Sequence, residues 1–364
     1  SLMSSGDYDN ALVISTTLLA ERPDDPQLQY LHASVLELSG DPTTAEQFYE
    51  HALTLDPTFS MADLALARIE MRNGNREAGR QRIEALLAKD ADNRAAELWL
   101  AQMAMRDGNG RDAIARLEKL RSANKRALQP RLVLADYYLR QGNADGALSV
   151  SHEVVKMVPD HPVGMHLLAN AHLLSGDIDE GLAILEQLEN ANPDNVQLKW
   201  QIVDAQEAKD NPDAVYEALQ RILAVDQNSS RALVKLAMME RLRGRQDAAM
   251  DLADRFIASH PESGMGYLIK GQILMDAEDY LPASDMLGKA YAMDKDSITL
   301  SRYYTALARA GEVERAEKAM TDWLTANPND NIARLAWADE VTRAGNIARA
   351  IELYEQVALG EPEN

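Results

Sequence analysis

Residues 128–161 read LQPRLVLADYYLRQGNADGALSVSHEVVKMVPDH, and the marks in this stretch decide the fold. Gly142 is able to take a positive φ and close one helix in a left-handed cap. Asn143 behind it suits a turn and the start of the next helix. Ala135, seven residues before the glycine, and Ala147, five after it, are small enough to let two helices approach closely. Pro159 ends the second helix and opens the next turn. Between such marks apolar residues recur at helical spacing, as in Ala45-Phe48-Tyr49-Ala52-Leu53 and Ile114-Leu117-Leu120.

Outward from this stretch the same marks return every 34 residues. Gly6, Gly40, Gly74, Gly108, Gly142 and Gly176 lie on one lattice, which continues through Asp210, Gly244 and Glu278, then Gly311 after one deletion, then Gly345. Asp or Asn follows in nine of the eleven cases, so the turn chemistry is repeated as well as the glycine. A small residue stands five positions on in every case but Val215, and seven positions back in every case but Val203 and Tyr304. Proline recurs seventeen positions on as Pro23, Pro57, Pro159, Pro193, Pro261, Pro328 and Pro362. Each unit is therefore expected to be two antiparallel helices of about 12–15 residues. One unit cannot bury its apolar face alone, so neighbours must stack into a continuous core. The expected fold class is all-α, a superhelix of 34-residue helix-turn-helix repeats. Residues 1–25 supply the end of a first helix and a complete second one, and 26–364 supply ten full repeats forming one solenoid.

Composition removes several functions. The chain has 364 residues, with 37 Lys+Arg against 58 Asp+Glu and a net charge of −21, which argues against non-specific binding to nucleic acid or to an anionic membrane. The absence of cysteine excludes disulfides, thiolate nucleophiles and Cys-ligated zinc, and leaves the redox compartment open. No apolar run reaches the roughly 18 residues that a membrane span needs, and the first residues do not read as a signal peptide. No catalytic constellation stands out, because among 58 acidic residues some carboxylates are close by chance. The chain is expected to be neither an enzyme nor a cofactor or metal binder.

The pattern of a small residue, glycine, alanine and proline at these offsets resembles the tetratricopeptide repeat (TPR) family over the whole chain. That resemblance implies a right-handed α-α superhelix whose first helices line a concave face on which peptides dock. More narrowly, Ala127-Leu128-Gln129-Pro130-Arg131-Leu132 running into Ala135-Asp136-Tyr137-Tyr138-Leu139-Arg140-Gln141-Gly142 is similar to the bacterial PEP-CTERM system TPR-repeat lipoproteins. Val158-Pro159-Asp160-His161-Pro162, followed by Leu167-Leu168-Ala169, resembles the next unit of those proteins. They are long arrays with a lipid-attached amino terminus, associated with exosortase protein sorting and exopolysaccharide production. The resemblance implies a scaffold in a cell-envelope assembly, periplasmic or outer-membrane associated through a lipid anchor, with a cytoplasmic setting still open. The chain opens inside a repeat and stops as one ends, so it is expected to be cut from a longer protein whose flanks carry the lipid-attachment Cys.

Within the repeats, positions 5, 9, 12 and 13 should face the concave side. Position 9 is polar in nine of ten repeats and includes Arg68, Gln102, Asp136, Asn170 and Asp204. Position 5 brings His166 and Trp200 among leucines, and position 13 brings Arg72, Arg106 and Arg140 in successive repeats. Such a mixed groove suits an extended peptide or a partner helix. The stacked guanidiniums suit a carboxylate-bearing peptide or an acidic polysaccharide. The plainer reading is that they pair with neighbouring acids. The carboxylate clamp of chaperone-binding relatives is missing, since only His166 with Asn170 approaches it and Gln197 and Gln201 stand in the next repeat.

Three further motifs invite a site. Gly108-Asn109-Gly110-Arg111-Asp112-Ala113 has the form of a dinucleotide-binding loop, but it follows a helical pattern rather than a strand. His152, His161, His166 and His172 cluster, yet their spacings do not share one helical face. Of the tryptophans that could stack on sugars, Trp323 reads as core and Trp200 as the better contact. The repeats around Asp210, Glu278, Val203 and Tyr304 break the pattern, so residues 196–304 are expected to unfold more readily than 94–176.

Overall fold

The structure is a computed structural model that describes residues 7–360. Gly6 and Pro362 of the repeat lattice lie outside the described residues. Within them every regular element is an α-helix of 12–14 residues. The chain forms two compact units, Ser1–Ile184 and Leu185–Asn364.

The first unit holds α1 (Tyr8–Glu21), α2 (Pro26–Ser39), α3 (Pro42–Leu55), α4 (Ser60–Arg72), α5 (Arg76–Lys89) and α6 (Arg94–Arg106). It goes on through α7 (Gly110–Ala123), α8 (Leu128–Arg140), α9 (Ala144–Met157) and α10 (Pro162–Ser175), and its boundary falls within α11 (Ile178–Ala191). The second unit continues with α12 (Val196–Ala208), α13 (Pro212–Val225), α14 (Ser230–Leu242), α15 (Gln246–Ser259) and α16 (Met265–Asp276). It ends with α17 (Tyr280–Met293), α18 (Ser297–Arg309), α19 (Val313–Ala326), α20 (Asn331–Arg343) and α21 (Ile347–Gly360).

The sequence marks sit where their chemistry acts. All eight described lattice glycines have positive φ, from +69° at Gly142 to +99° at Gly40. At Gly142 the turn closes as a Schellman cap, with the Asn143 amide donating to the Tyr138 carbonyl at 2.9 Å and the Gly142 amide to Leu139 at 3.1 Å. The Asn143 side chain then accepts from the Gly146 amide at 3.0 Å and starts α9. Asp210 and Glu278 adopt the same left-handed geometry, at φ 53° and 61°, and keep the same closing bonds, Asn211 to Gln206 and Asp279 to Leu274.

The small residues are buried at the crossing of the two helices of each repeat. Ala33 faces Ala45 and Tyr49 in one core cluster of the first unit, and Ala101, Ala135, Leu117 and Leu134 share another. In the second unit Ala237, Ala249 and Ala253 pack with Ile269 and Ile273. The exceptions are buried too: Val203 is inaccessible, and Tyr304 lies in a cluster with Leu307, Ala316 and Trp337. The core is thus a chain of local clusters, each built between neighbouring helices, as stacked repeats require.

Candidate functional site

A charged surface of the first unit starts on α4. Arg68 and Arg72 are one turn apart, so both side chains leave the same helical face. Both reach back to Glu37 of α2. Arg68 binds it through Nη2 at 2.6 Å and Nε at 3.2 Å, and Arg72 through Nη1 at 3.3 Å. The Glu37 side chain is only 8% exposed, so this charge is fixed in place. The Tyr49 hydroxyl donates to the same carboxylate at 3.1 Å, and burial, together with the charge of Glu37, pushes that phenol up to about 12. The hydrogen bonds that Arg68 donates to Glu37 in turn hold its guanidinium above its ordinary pKa.

Next to this pair, α5 contributes Arg76 and α6 contributes Trp99, Gln102 and Arg106. With Arg68, Arg72, Met71 and Met103 they line an open cavity of about 420 Å³. Among the described residues no carboxylate pairs with Arg76 or Arg106. Four guanidiniums therefore border a cavity with no acid among its described lining residues, and Glu37, which two of them reach, is shared between those two. The charge balance of the segment follows the same trend: residues 60–140 carry 16 Lys+Arg against 11 Asp+Glu, a local excess of +5 in a chain of −21.

The other expected contact residues fall around separate centres. Arg140 pairs with Asp136 one turn earlier on α8, at 2.9 Å. His166 and Asn170 are half-buried on α10. In the second unit Trp200 and Asp204 of α12 are joined by Arg231 of α14. The Arg231 guanidinium carbon lies 3.9 Å from the Trp200 ring centroid, and its Nη2 is 2.8 Å from Asp204. One face of the Trp200 indole is thus covered. Arg68, Arg72, Gln102 and Arg106 are brought to one cavity; Arg140, with Asp136, is held in a local pair.

Sequence reasoning left out Arg76, the place of Trp99, and the role of Glu37. Arg76 follows Arg72 by one helical turn's worth of residues, a signal hidden by the intervening Asn73-Gly74-Asn75 turn. The motifs that suggested other chemistry resolve into structure. Gly108 has φ +75° and ends α6, and Asn109 caps α7 by accepting from the Asp112 amide. Beside Gly110 the Tyr137 hydroxyl occupies the place of a side chain, 1.9 Å from an ideal Cβ. His161 caps α10 by accepting from the Gly164 amide at 3.1 Å, and the His152 and His172 rings meet edge-on at 5.6 Å. Among the described residues no three His, Asp or Glu side chains come together as a metal site. Trp323 packs on the core and donates to Asp330 at 2.7 Å. Among the described residues no helix is long and apolar enough to cross a membrane.

Family profiles described as tetratricopeptide repeat match residues 36–103, 138–202 and 172–238, residues 1–58 and 104–162, and residues 231–263, so that together they span 1–263. No curated protein matches the chain. Among solved structures, MamA protein is similar at 19% identity and TM-score 0.40, over 46% of this chain and 92% of that one. The C-terminal part of a TPR repeat-containing protein from Cytophaga hutchinsonii is similar at 18% identity and TM-score 0.48, over 64% and 95%. YrrB, described as a TPR protein with an unusual peptide-binding site, is similar at 17% identity and TM-score 0.41, over 50% and 94%. With its 34-residue lattice, its stacked helix pairs and these profile matches, the chain belongs to the tetratricopeptide repeat family, whose members are generally non-catalytic scaffolds for protein and peptide partners.

Proposed function

We propose that the protein is a non-enzymatic scaffold that holds an acidic segment of a partner protein at the arginine cavity of its first unit. The observation that carries this reading is the pair Arg76 and Arg106, which face the cavity without a carboxylate of their own. A guanidinium binds a carboxylate through two parallel hydrogen bonds, which gives direction as well as attraction. A local excess of +5 in a chain of −21 also confines the attraction for acidic partners to this region. A cavity of about 420 Å³ admits a few side chains and leaves the rest of the segment on the surface.

The setting we propose is a bacterial cell-envelope assembly, in exopolysaccharide export or exosortase-dependent sorting, at the periplasmic face or the outer membrane through a lipid anchor. It rests on the wording of residues 127–142 and 158–169, which is similar to that of the PEP-CTERM system lipoproteins. A second reading is an acidic polysaccharide. Trp99 favours it, because a half-buried indole beside guanidiniums can stack on a sugar ring while its carboxylate is paired.

Titration of the purified protein with an acidic peptide and with a polyuronate separates the two. The peptide is expected to bind at low salt and to weaken at least about tenfold with Arg76→Glu and Arg106→Glu together. Polyuronate binding with no peptide binding would move the assignment to the second reading. A parent protein that binds neither would remove both.

A further inference from the structure

Resting on the acidic-segment reading, the first unit also indicates what else that segment carries. Next to the turn, position 13 of five consecutive first helices holds Leu38, Arg72, Arg106, Arg140 and Leu174, on α2, α4, α6, α8 and α10. The row is basic in the middle and aliphatic at both ends. Both leucines face solvent, Leu38 at 49% exposure and Leu174 at 42%, although burying a leucine is strongly favourable. The charge along the row is uneven. Arg72 shares Glu37 with Arg68, and Arg140 is paired with Asp136, whereas Arg106 at the centre has no carboxylate partner among the described residues.

We propose that this row is the docking register of an extended partner segment with an acidic cluster at its centre, seated on Arg106, and one apolar side chain at each end, seated on Leu38 and Leu174. Packed helices lie about 8–10 Å apart, which is a lower bound for first helices of consecutive repeats, so the four intervals of the row span at least roughly 30–40 Å. An extended chain rises about 3.3 Å per residue, and about 10–12 residues cover that minimum span. The acidic centre brings the segment to the basic stretch, and the apolar ends fix its register by covering the leucines. A polysaccharide or an all-acidic tail meets only the middle of the row.

The test uses three synthetic peptides of about twelve residues: one with four central acids and a leucine at each end, one with serine at both ends, and one with the central acids replaced by their amides. Binding is read by fluorescence anisotropy. The leucine-ended peptide is expected to bind about tenfold tighter than the serine-ended one. Leu38→Ser with Leu174→Ser should abolish that difference and leave the serine-ended peptide unchanged. Both side chains are exposed, and an unaltered helical circular dichroism spectrum checks that the fold is kept. Arg106→Gln should weaken both acidic peptides more than Arg72→Gln or Arg140→Gln does, since those two arginines are already engaged. Equal affinity of the leucine-ended and serine-ended peptides would overturn the register and leave the acidic reading standing. No binding of any acidic peptide would overturn both.

Discussion

Asp210 and Glu278 stand where eight other described turns carry glycine, and they take its left-handed geometry at φ 53° and 61°. An L-residue in this region has its Cβ close to the following carbonyl, at a cost of roughly 1–2 kcal/mol, and aspartate tolerates it better than glutamate because its short side chain can bond locally. Glycine removes that strain but adds freedom to the unfolded chain, which takes back part of the gain. Glu278→Gly is therefore expected to stabilise by about 1 kcal/mol and Asp210→Gly by about 0.5 kcal/mol. Urea denaturation of each variant checks this through the midpoint of the transition that involves its repeat. A lower midpoint for Glu278→Gly would mean that the glutamate side chain has a compensating role.

At the scale of elements, one buried histidine joins α1, α2 and α3. His32 lies buried, with Nδ1 3.0 Å from the Ser15 hydroxyl of α1 and its ring edge-on to Phe48 of α3 at 4.6 Å. Burial lowers its pKa from the ordinary 6.5. The unfolded chain thus takes up this proton at a higher pH than the folded one. The stability that neutral His32 contributes is complete above 6.5 and is lost as the pH falls through the lower folded value. The protection factors of the α1 amides, taken against the intrinsic exchange rate at each pH, should fall as the pH drops below 6.5, and His32→Gln should flatten that dependence. A His32 ring that titrates at or above 6.5 by NMR would remove the prediction. The helix ends were legible in the sequence because each is fixed by a residue of special chemistry, such as Gly142, Asn143 or Pro159. Half of the candidate site was legible for a similar reason, since Arg72 and Arg106 hold one position of the repeat. The rest depends on packing across repeats, which no single unit encodes: Glu37 reaching two arginines of the next repeat, Arg76 arriving from a second helix, and Arg231 covering Trp200.

At the scale of the whole molecule, stability in a repeat array is a sum of local terms, so irregular repeats should open first. The two glycine-free turns, at Asp210 and Glu278, both fall in the second unit, as do Val203 and Tyr304 at the position that is otherwise alanine or glycine. The two kinds of irregularity have different consequences. Val203 is inaccessible and Tyr304 is 3% exposed, so their extra volume is accommodated and stabilises its surroundings. The strained turns have no such return, because the closing hydrogen bonds match those of the glycine turns while the backbone cost is added. The prediction that residues 196–304 exchange faster than 94–176 is therefore traced to the turns between α12 and α13 and between α16 and α17. Amide exchange of the parent should show lower protection of the helices that flank these turns than of α6 to α9. With Asp210→Gly and Glu278→Gly combined, the difference should narrow by about the free energy that the two replacements contribute, since distant sites add. Equal protection of the two stretches in the parent would rule out the turns as weak points. A difference that persists unchanged in the double variant would place the weakness in the packing around Val203 and Tyr304 instead.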